Sequence, residues 1–384
     1  MVIFWKFFQK FGFIIFFGVC CQCKSRFDPK PDIKDTASNN PDTTIVVRPD
    51  TTSLPVDSVK IDTFPVKNSN ASLFGSARFG IQNIYAENQL SYKSGTYWQA
   101  NDYTGKAASL AYNFIAPDAD TMRYRPFVLL VHEGAFLFGS LEAQLGKARL
   151  LSRKGYATAS IDYRLGFKGG SEGNACGGTS KEVIMAIYRS VQDINAALHY
   201  FITKSDEFGI DPGQIILAGS SAGAISISAL QYMKEEDFEK LNPGIVKLLG
   251  RLDPFNVTGT YRARALLTSL GYAVIQSGYI TSKNAIPTLF FQRTGDDVLA
   301  YRNGPLFFCN NYFYTDGAKN VTDRLKILKV PYELNYEPLN GHILSYKEDY
   351  IANRYAQFVK RLWGNDLRQI TMEYTKTIEN KVLK

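Results

Sequence analysis

Short apolar runs alternate with amphipathic stretches along this chain from about residue 78 onward. Apolar runs bounded by turn residues predict buried strands, and they occur at 110–115, 127–132, 156–163, 215–218, 263–269, 287–293 and 332–337. The stretch 145–154 predicts a helix that ends at Gly155, and a longer helix is predicted from apolar positions at helical spacing: Ile187, Val191, Ile194, Leu198 and Phe201. Asp211-Pro212-Gly213 predicts a turn before the strand at 215–218. This alternation predicts an α/β fold, a mostly parallel central sheet with helices on both faces.

The first 23 residues have the pattern of a secretory signal peptide. Two lysines accompany an apolar run, 11–21, that is shorter than a membrane span requires. Cys20 and Cys21 end this run and Cys23 follows it. The region resembles a bacterial lipoprotein signal, in which a cysteine is acylated. A plain secretory signal or an uncleaved anchor is the alternative. We therefore expect an exported protein, either lipid-anchored in the cell envelope through its N-terminus or periplasmic or secreted.

The composition changes after the signal. Residues 24–70 are rich in Asp, Pro, Thr, Ser and Asn without a helical or strand period, which predicts a flexible linker. Residues 71–384 are predicted to form one folded domain, since no internal repeat is evident. Hydrophobic residues make up 45% of the chain and charged residues 21%, values that favour a globular protein over a disordered one.

The charge and the cysteine content limit which binding partners and cofactors are expected. The net charge of +8 leaves nucleic-acid binding open, but Lys and Arg are spread along the chain and no RNA-binding or zinc-finger spacing is present. We therefore expect no nucleic-acid partner. Cys176 and Cys309 are the two cysteines after the signal, and one disulfide is open to them in an oxidising compartment. The Gly-rich stretch 166–178 lacks the Lys-Ser/Thr ending of a phosphate loop. Neither a metal nor another cofactor is predicted.

The clearest chemical motif is Gly219-Ser220-Ser221-Ala222-Gly223, which fits G-x-S-x-G between a predicted strand and a predicted helix. A nucleophilic serine needs a sharp, strained turn at the carboxyl edge of the sheet. The flanking glycines allow the neighbouring backbone to come close without Cβ clashes. This pattern predicts Ser221 as a nucleophile.

The base is constrained because the chain has three histidines. In α/β-hydrolases with a G-x-S-x-G serine, the partners follow in the order serine, acid, histidine. His132 and His199 precede Ser221, so His342 is the predicted base, in a loop after the last predicted strand. It would accept the serine proton and later return it to the leaving alcohol.

The acid is predicted after the strand at 287–293, where Asp296 and Asp297 are adjacent. One carboxylate would accept the second ring N–H of His342 and stabilise the imidazolium. The other is then a solvated turn residue. Spacing alone leaves this choice open.

An oxyanion hole is predicted in the loop after the strand at 127–132. A tetrahedral intermediate needs preorganised backbone N–H donors where its oxygen becomes negative. The N–H of Ala222, after the nucleophile, is one candidate, and those of Gly134 and Ala135 are the others. His132 is expected to hold this loop in shape.

Three stretches together resemble the carboxylesterase branch of the α/β-hydrolase superfamily: 132–136, 160–165 and 219–223. The resemblance extends from about residue 105 to 362. In that family the loop reads H-G-G-G or H-G-G-A, which implies oxyanion donors at Gly134 and Ala135. Glu133 departs from this pattern because glycine is usual there.

The resemblance also bears on the acid. The family pattern G-T-x-D-x-x-V-P-Y, set against Thr294 and Tyr301, implies that Asp296 is the acid. Arg293 and Ala300 replace the usual glycine and proline. A structural role is implied for Asp162.

These features predict a serine esterase acting through Ser221, Asp296 and His342. The resemblance implies carboxylic esters, and together with the export signal it suggests small-molecule or glycan substrates carrying acetyl or feruloyl groups. A peptidase of the same fold is the alternative, although 24–104 is too short for a propeller gate. A lipase is another, although 233–258 is short for a large lid. The remaining class is a non-catalytic surface protein on a hydrolase scaffold.

Overall fold

The computed structural model of the protein describes residues 67–118 and 120–374. The predicted signal peptide and all but the last four residues of the predicted linker lie outside these ranges. In the described part of the chain, no helix is long and apolar enough to cross a membrane.

A nine-stranded sheet is the centre of the fold. A second sheet has three strands, which fall between strands of the large sheet in sequence. The strands of the large sheet are β1 (Leu90–Asn101), β2 (Ala107–Pro117), β3 (Arg125–Val131), β4 (Ala157–Ile161), β5 (Ile210–Ser220), β6 (Ala263–Ser269), β8 (Thr288–Gly295), β11 (Tyr332–Asn340) and β12 (Gln369–Glu373), and those of the small sheet are β7 (Ala273–Val274), β9 (Asn303–Pro305) and β10 (Tyr314–Gly317).

The large sheet is mostly parallel, as predicted. Its strand order is β1-β2-β4-β3-β5-β6-β8-β11-β12. β2 pairs antiparallel with β1 and β4, and every other neighbouring pair runs parallel. The carboxyl ends of β3, β5, β8 and β11 therefore lie along one edge of the sheet, where a parallel α/β sheet carries its chemistry.

Helices cover both faces, also as predicted. They are α1 (Asn70–Gly75), α2 (Leu145–Ser152), α3 (Ser180–Thr203), α4 (Ser205–Phe208), α5 (Ala222–Tyr232), α6 (Glu235–Leu241), α7 (Ile245–Leu249), α8 (Ala318–Ile327) and α9 (Glu348–Trp363). Phe127, Leu129 and Val131 belong to the core that includes residues of α3, α5 and α8, whereas Val128 and Leu130 belong to the core that includes residues of α1, α2 and α9. Alternate residues of β3 thus serve opposite cores, because side chains on a strand alternate between its faces.

One predicted turn lies inside a strand. Asp211-Pro212-Gly213 belongs to β5, which begins five residues before the predicted strand at 215–218. Arg125 pairs with Ile210 and Phe127 with Ile215, so the extra residues of β5 form an irregularity in the ladder. Proline has no N–H to donate to a neighbouring strand, so it is tolerated within a sheet at such an irregularity, where the regular hydrogen bonds are interrupted.

The first described residues lie at the amino ends of β3 and β5. The backbone N–H of Asn68 donates to the Asp211 carboxylate at 2.9 Å, and the Asn68 side-chain amide donates to the Tyr124 carbonyl at 2.9 Å. α1 then begins at Asn70, the last residue of the predicted linker. The described chain therefore starts at the sheet edge opposite the carboxyl ends of the strands.

Cys176 and Cys309 form a disulfide, a pairing that the sequence analysis left open. Around it, the Asn311 side chain donates to the carbonyls of Cys176 and Gly178 at 3.0 and 2.7 Å. The Tyr312 hydroxyl donates to the Ala175 carbonyl at 2.6 Å. The Gly-rich stretch 166–178 is thereby fastened to the segment between β9 and β10.

Candidate active site

Ser221 stands at the turn between β5 and α5. Its backbone has φ 49° and ψ −116°, a conformation that L-residues rarely adopt. The Ser221 N–H donates to the Ser269 carbonyl at 3.2 Å, and its carbonyl accepts from the Ile225 N–H at 3.1 Å. The strained turn is thus held on one side by the end of β6 and on the other by the first turn of the helix.

The two flanking glycines are required by close backbone contacts. A Cβ on Gly219 would lie 2.5 Å from the Gly223 carbonyl group, and a Cβ on Gly223 would lie 2.2 Å from the Val131 carbonyl oxygen. Both distances are far below van der Waals contact. Glycine at these positions lets the serine turn pack directly against the end of β3, where the predicted oxyanion loop begins.

His342 joins the serine to an acid. Its Nε2 lies 2.9 Å from the Ser221 Oγ, and its Nδ1 lies 2.9 and 3.0 Å from the two carboxylate oxygens of Asp296. The Asp296 carboxylate also accepts the N–H groups of Val298 and Leu299 at 2.9 and 2.8 Å. A carboxylate oxygen accepts, so His342 Nδ1 donates to it and Nε2 is left as the acceptor facing the serine.

Of the two adjacent aspartates, the structure brings Asp296 to the histidine. Asp296 is buried, whereas Asp297 is exposed to solvent. The loop that carries His342 is anchored to β8, since the Gly341 N–H donates to the Gly295 carbonyl at 3.0 Å. Three segments that are distant in sequence therefore converge at the carboxyl edge of the sheet.

Arg293 fastens the same loop from β8. Its guanidinium donates to the Asn340 carbonyl at 2.7 Å and to the Ser345 hydroxyl at 3.0 Å, so it contacts both sides of His342. It also forms an ion pair with Glu337 on β11. The arginine that replaces the family's usual glycine thus has a structural explanation, which the sequence alone did not supply.

The predicted oxyanion loop has an unusual backbone. Gly134, Ala135 and Phe136 all have positive φ, at 116°, 51° and 65°. A Cβ on Gly134 would lie 1.9 Å from the Phe138 carbonyl oxygen, so glycine is required there. Within residues 67–118 and 120–374, the N–H groups of Gly134, Ala135 and Ala222 donate to no protein acceptor. All three remain available to a substrate oxygen, as an oxyanion hole would need.

His132 is buried beside this loop. Its Nδ1 lies 2.6 Å from the Glu133 carbonyl, and because a carbonyl can only accept, that nitrogen carries the hydrogen. The ring stacks on Tyr163 with centroids 4.3 Å apart. Burial lowers the pKa of His132, which favours the neutral ring. These contacts fit the predicted role of holding the loop in shape.

Two other residues that the sequence analysis set aside lie in structural surroundings. The Asp162 carboxylate accepts the Leu141 N–H at 2.8 Å. His199 stacks on Phe255 with ring centroids 4.6 Å apart. Neither contact involves Ser221 or His342.

The sheet order, the strained serine turn and the Ser221–His342–Asp296 contacts together define an α/β-hydrolase. Residues 82–242 match the profile of the Carboxylesterase family, a range that includes the oxyanion loop and the serine turn. Over that range, which is less than half of the chain, the sequence is similar to carboxylesterases. Asp296 and His342 lie beyond the matched range.

Sequence identity to individual curated relatives is below 30%. Esterase-5A of Drosophila pseudoobscura pseudoobscura is 29% identical over 43% of this chain and 28% of its own length. Esterase P of Drosophila melanogaster is 24% identical over 63% of this chain and 45% of its own. The chain therefore spans less than half the length of these curated relatives. Among solved structures, a bacterial heroin esterase has a TM-score of 0.43 at 17% identity, covering 74% of this chain and 87% of its own.

Proposed function

We propose that the protein is a serine carboxylesterase whose nucleophile is Ser221. The observation that carries the proposal is the position of His342, within hydrogen-bond distance of both the Ser221 hydroxyl and the Asp296 carboxylate. A histidine held in this way can take the serine proton while a buried carboxylate stabilises the resulting imidazolium.

The proposed reaction has two halves. Ser221 Oγ attacks the ester carbonyl carbon while His342 Nε2 takes its proton, and the carbonyl oxygen becomes negative beside the N–H groups of Gly134, Ala135 and Ala222. The carbon–oxygen bond to the alcohol then breaks, and the alcohol leaves with the proton from His342. A water molecule attacks the acyl-enzyme in the same way, releasing the carboxylic acid and restoring Ser221.

Apolar side chains near the site support an acyl or alcohol group that is itself apolar. Phe138, which follows the oxyanion loop, and Ile343, which follows the base, are exposed. The ring centroids of Phe136 and Phe307 are 6.3 Å apart, and Phe307 belongs to the segment that the disulfide fastens. We propose glycans bearing feruloyl or acetyl groups as substrates.

Export is the second part of the proposal. The signal-like sequence at residues 1–23 supports it, and so does the disulfide, because disulfides persist in oxidising compartments. Lipid attachment through one of the cysteines at 20, 21 or 23 would place the enzyme in the cell envelope. Labelling with a fatty-acid analogue tests attachment, and a released, unlabelled protein would leave secretion in its place.

The decisive experiment compares purified protein with its Ser221→Ala variant. We expect the first to hydrolyse p-nitrophenyl acetate, and the second to be inactive. Acetylated and feruloylated glycans are assayed beside simple esters, because activity confined to simple esters would exclude the glycan substrates. Hydrolysis of peptides in preference to esters would replace the proposal by a peptidase.

A further inference from the structure

A buried glutamine connects the oxyanion loop to the serine turn. The Gln144 Nε2 donates to the Glu133 carboxylate at 2.6 Å and to the Ser220 hydroxyl at 3.1 Å. Glu133 directly precedes Gly134, and Ser220 directly precedes the nucleophile. A single amide group therefore bridges the two segments whose N–H groups would hold the oxyanion, although they are far apart in sequence.

On the side of the nucleophile, the contact extends into the sheet. The Ser220 hydroxyl lies 2.7 Å from the Ser269 hydroxyl, and the Ser269 carbonyl accepts the Ser221 N–H. Ser220 and Ser269 are both buried. The glutamine is thus joined, through Ser220, to the residue that fixes the backbone of the nucleophile.

A buried lysine sets the orientation of the glutamine. Lys147 Nζ donates to the Gln144 Oε1 at 3.1 Å and lies 3.8 Å from the Glu348 carboxylate. An ammonium group can only donate, so the carbonyl oxygen of the Gln144 amide faces Lys147 and its nitrogen faces Glu133 and Ser220. Glu348 begins α9, the helix that follows the His342 loop.

The surroundings of Lys147 are built for this contact. A Cβ on Gly146 would lie 1.9 Å from the Glu348 carboxylate, so glycine is needed for the carboxylate to approach α2. Burial lowers the pKa of Lys147, and the negative charges of Glu133 and Glu348 oppose that shift. Glu133 therefore acts electrostatically on Lys147 and is also hydrogen-bonded to Gln144.

We propose that Glu133 and Gln144 are positioning residues that hold the oxyanion loop at a fixed place relative to Ser221. We define the Glu133–Gln144–Ser220 contact as the brace. Three successive residues of the loop have positive φ, a costly conformation that its surroundings must maintain. The Gly134 carbonyl accepts the Leu137 and Phe138 N–H groups, and the brace adds a contact to the serine turn that these bonds do not provide. Charge-assisted bonds to a carboxylate are the stronger class of hydrogen bond, so Glu133 serves here better than the family's glycine. This inference rests on the proposed function.

The test substitutes each end of the brace in the full chain. Gln144→Met keeps the length of the side chain but removes both the donor and the acceptor. Glu133→Leu removes the acceptor, whereas Glu133→Gln keeps an acceptor oxygen and loses only the charge. We expect Gln144→Met and Glu133→Leu to lower kcat roughly ten- to hundredfold, with KM changed less than about threefold. Glu133→Gln should recover most of the lost kcat.

Gln214→Met is the matched control. Gln214 is also fully buried and accepts the Trp363 indole N–H at 3.0 Å, but it lies seven residues before Ser221 on β5, and its amide donates to Asn68 and Asn70 instead. The control should lower the free energy of unfolding without lowering kcat. An equal loss of kcat in the control, or an unchanged kcat in Gln144→Met, would overturn the brace.

A second measurement separates this inference from the proposed function. A fluorophosphonate probe reacts with an activated serine and develops negative charge on a phosphoryl oxygen, so its rate at Ser221 reports the hole without any ester substrate. If esters are not hydrolysed but Ser221 is labelled, equal labelling rates in the wild type and Gln144→Met overturn the brace. If Ser221 is neither labelled nor active, both proposals are wrong. Should Gln144→Met fail to fold, the Glu133→Leu and Glu133→Gln pair at a half-buried position gives the same comparison.

Discussion

Arg293 Nε lies 2.9 Å from Glu337 Oε2, and this ion pair is almost completely buried between β8 and β11. The same guanidinium reaches both sides of the His342 loop. A buried carboxylate that loses its cation is strongly destabilising, on the order of 3–5 kcal/mol. Arg293 thus connects the stability of the sheet to the placement of the base.

We expect Arg293→Met to lower both stability and activity. The free energy of unfolding should fall by about 3 kcal/mol, and kcat by roughly tenfold because the base is less well placed. Urea unfolding and steady-state kinetics measure the two effects. Arg368→Met is the control, since its ion pair with Asp366 is exposed and such pairs contribute about 0–1 kcal/mol. Equal effects of the two substitutions would contradict the role of Arg293.

Ser221→Ala and His342→Ala should each abolish ester hydrolysis. Each removes one partner of the 2.9 Å contact between the hydroxyl and the imidazole. Losses of at least about a thousandfold in kcat are expected, because the members of such a unit act together. Initial rates with p-nitrophenyl acetate check this, and a variant that keeps wild-type activity would exclude that residue from the chemistry.

The two neighbouring aspartates should differ sharply. Asp296→Asn retains the size of the side chain but removes the carboxylate that faces His342, so kcat should fall by about 10⁴-fold. Asp297→Asn alters an exposed side chain and should leave kcat within about twofold. A larger loss at Asp297 would mean that the acid has been assigned to the wrong residue.

Removing the disulfide should destabilise the protein. Cys176 and Cys309 are 133 residues apart in sequence, and a cross-link that closes a long loop restricts the unfolded chain. The Cys176→Ser, Cys309→Ser double variant should lose about 2–5 kcal/mol in the free energy of unfolding. A melting temperature that a reductant does not change in the wild type, while the thiols are shown to be free, would contradict this expectation.

Lys154 should make the free energy of unfolding depend on pH in the alkaline range. Burial, followed by the charge of Arg153, lowers the pKa of Lys154 to about 8. Its Nζ donates to the Ile81 carbonyl and the Asn83 side chain, both at 2.9 Å. Above pH 8 the folded protein releases this proton while the unfolded chain, with a pKa near about 10.4, still binds it, so raising the pH stabilises the folded state.

The measurement for Lys154 compares two proteins. Between pH 8 and 10 the wild type should gain about 1 kcal/mol in unfolding free energy relative to Lys154→Met, after allowance for solvent screening. The variant cancels the contributions of other groups that titrate in this range. A difference that stays constant or shrinks as the pH rises would show that Lys154 remains charged in the folded protein.

The sequence predicted the parallel strands from β3 to β11 because they are largely buried and appear as continuous apolar runs. It did not predict β12, which is also parallel but whose residues are exposed or half-buried. It did not predict β1, whose residues are largely exposed and therefore show no apolar run. The small sheet was also missed, since β7 has two residues and β9 three, too few for any period to appear. Asp211-Pro212-Gly213 has the composition of a turn, and only the pairing with β3 shows that it lies within a strand.

The site shows the same division. Ser221 follows from its motif and His342 from the small number of histidines, and the structure brings both to Asp296. Gln144 and Lys147 could not be found in this way. Their partners are distant in sequence, and a glutamine and a lysine at the start of a helix otherwise indicate an ordinary solvated surface.

Asn68 is fixed at the amino ends of β3 and β5, and Ser221 follows the carboxyl end of β5. The seven residues of β3 alone separate these two edges by about 23 Å. The first described residue, Lys67, therefore lies on the side of the sheet remote from the nucleophile. A substrate that reaches Ser221 at the carboxyl edge of the sheet does not have to pass the point at which the described chain begins.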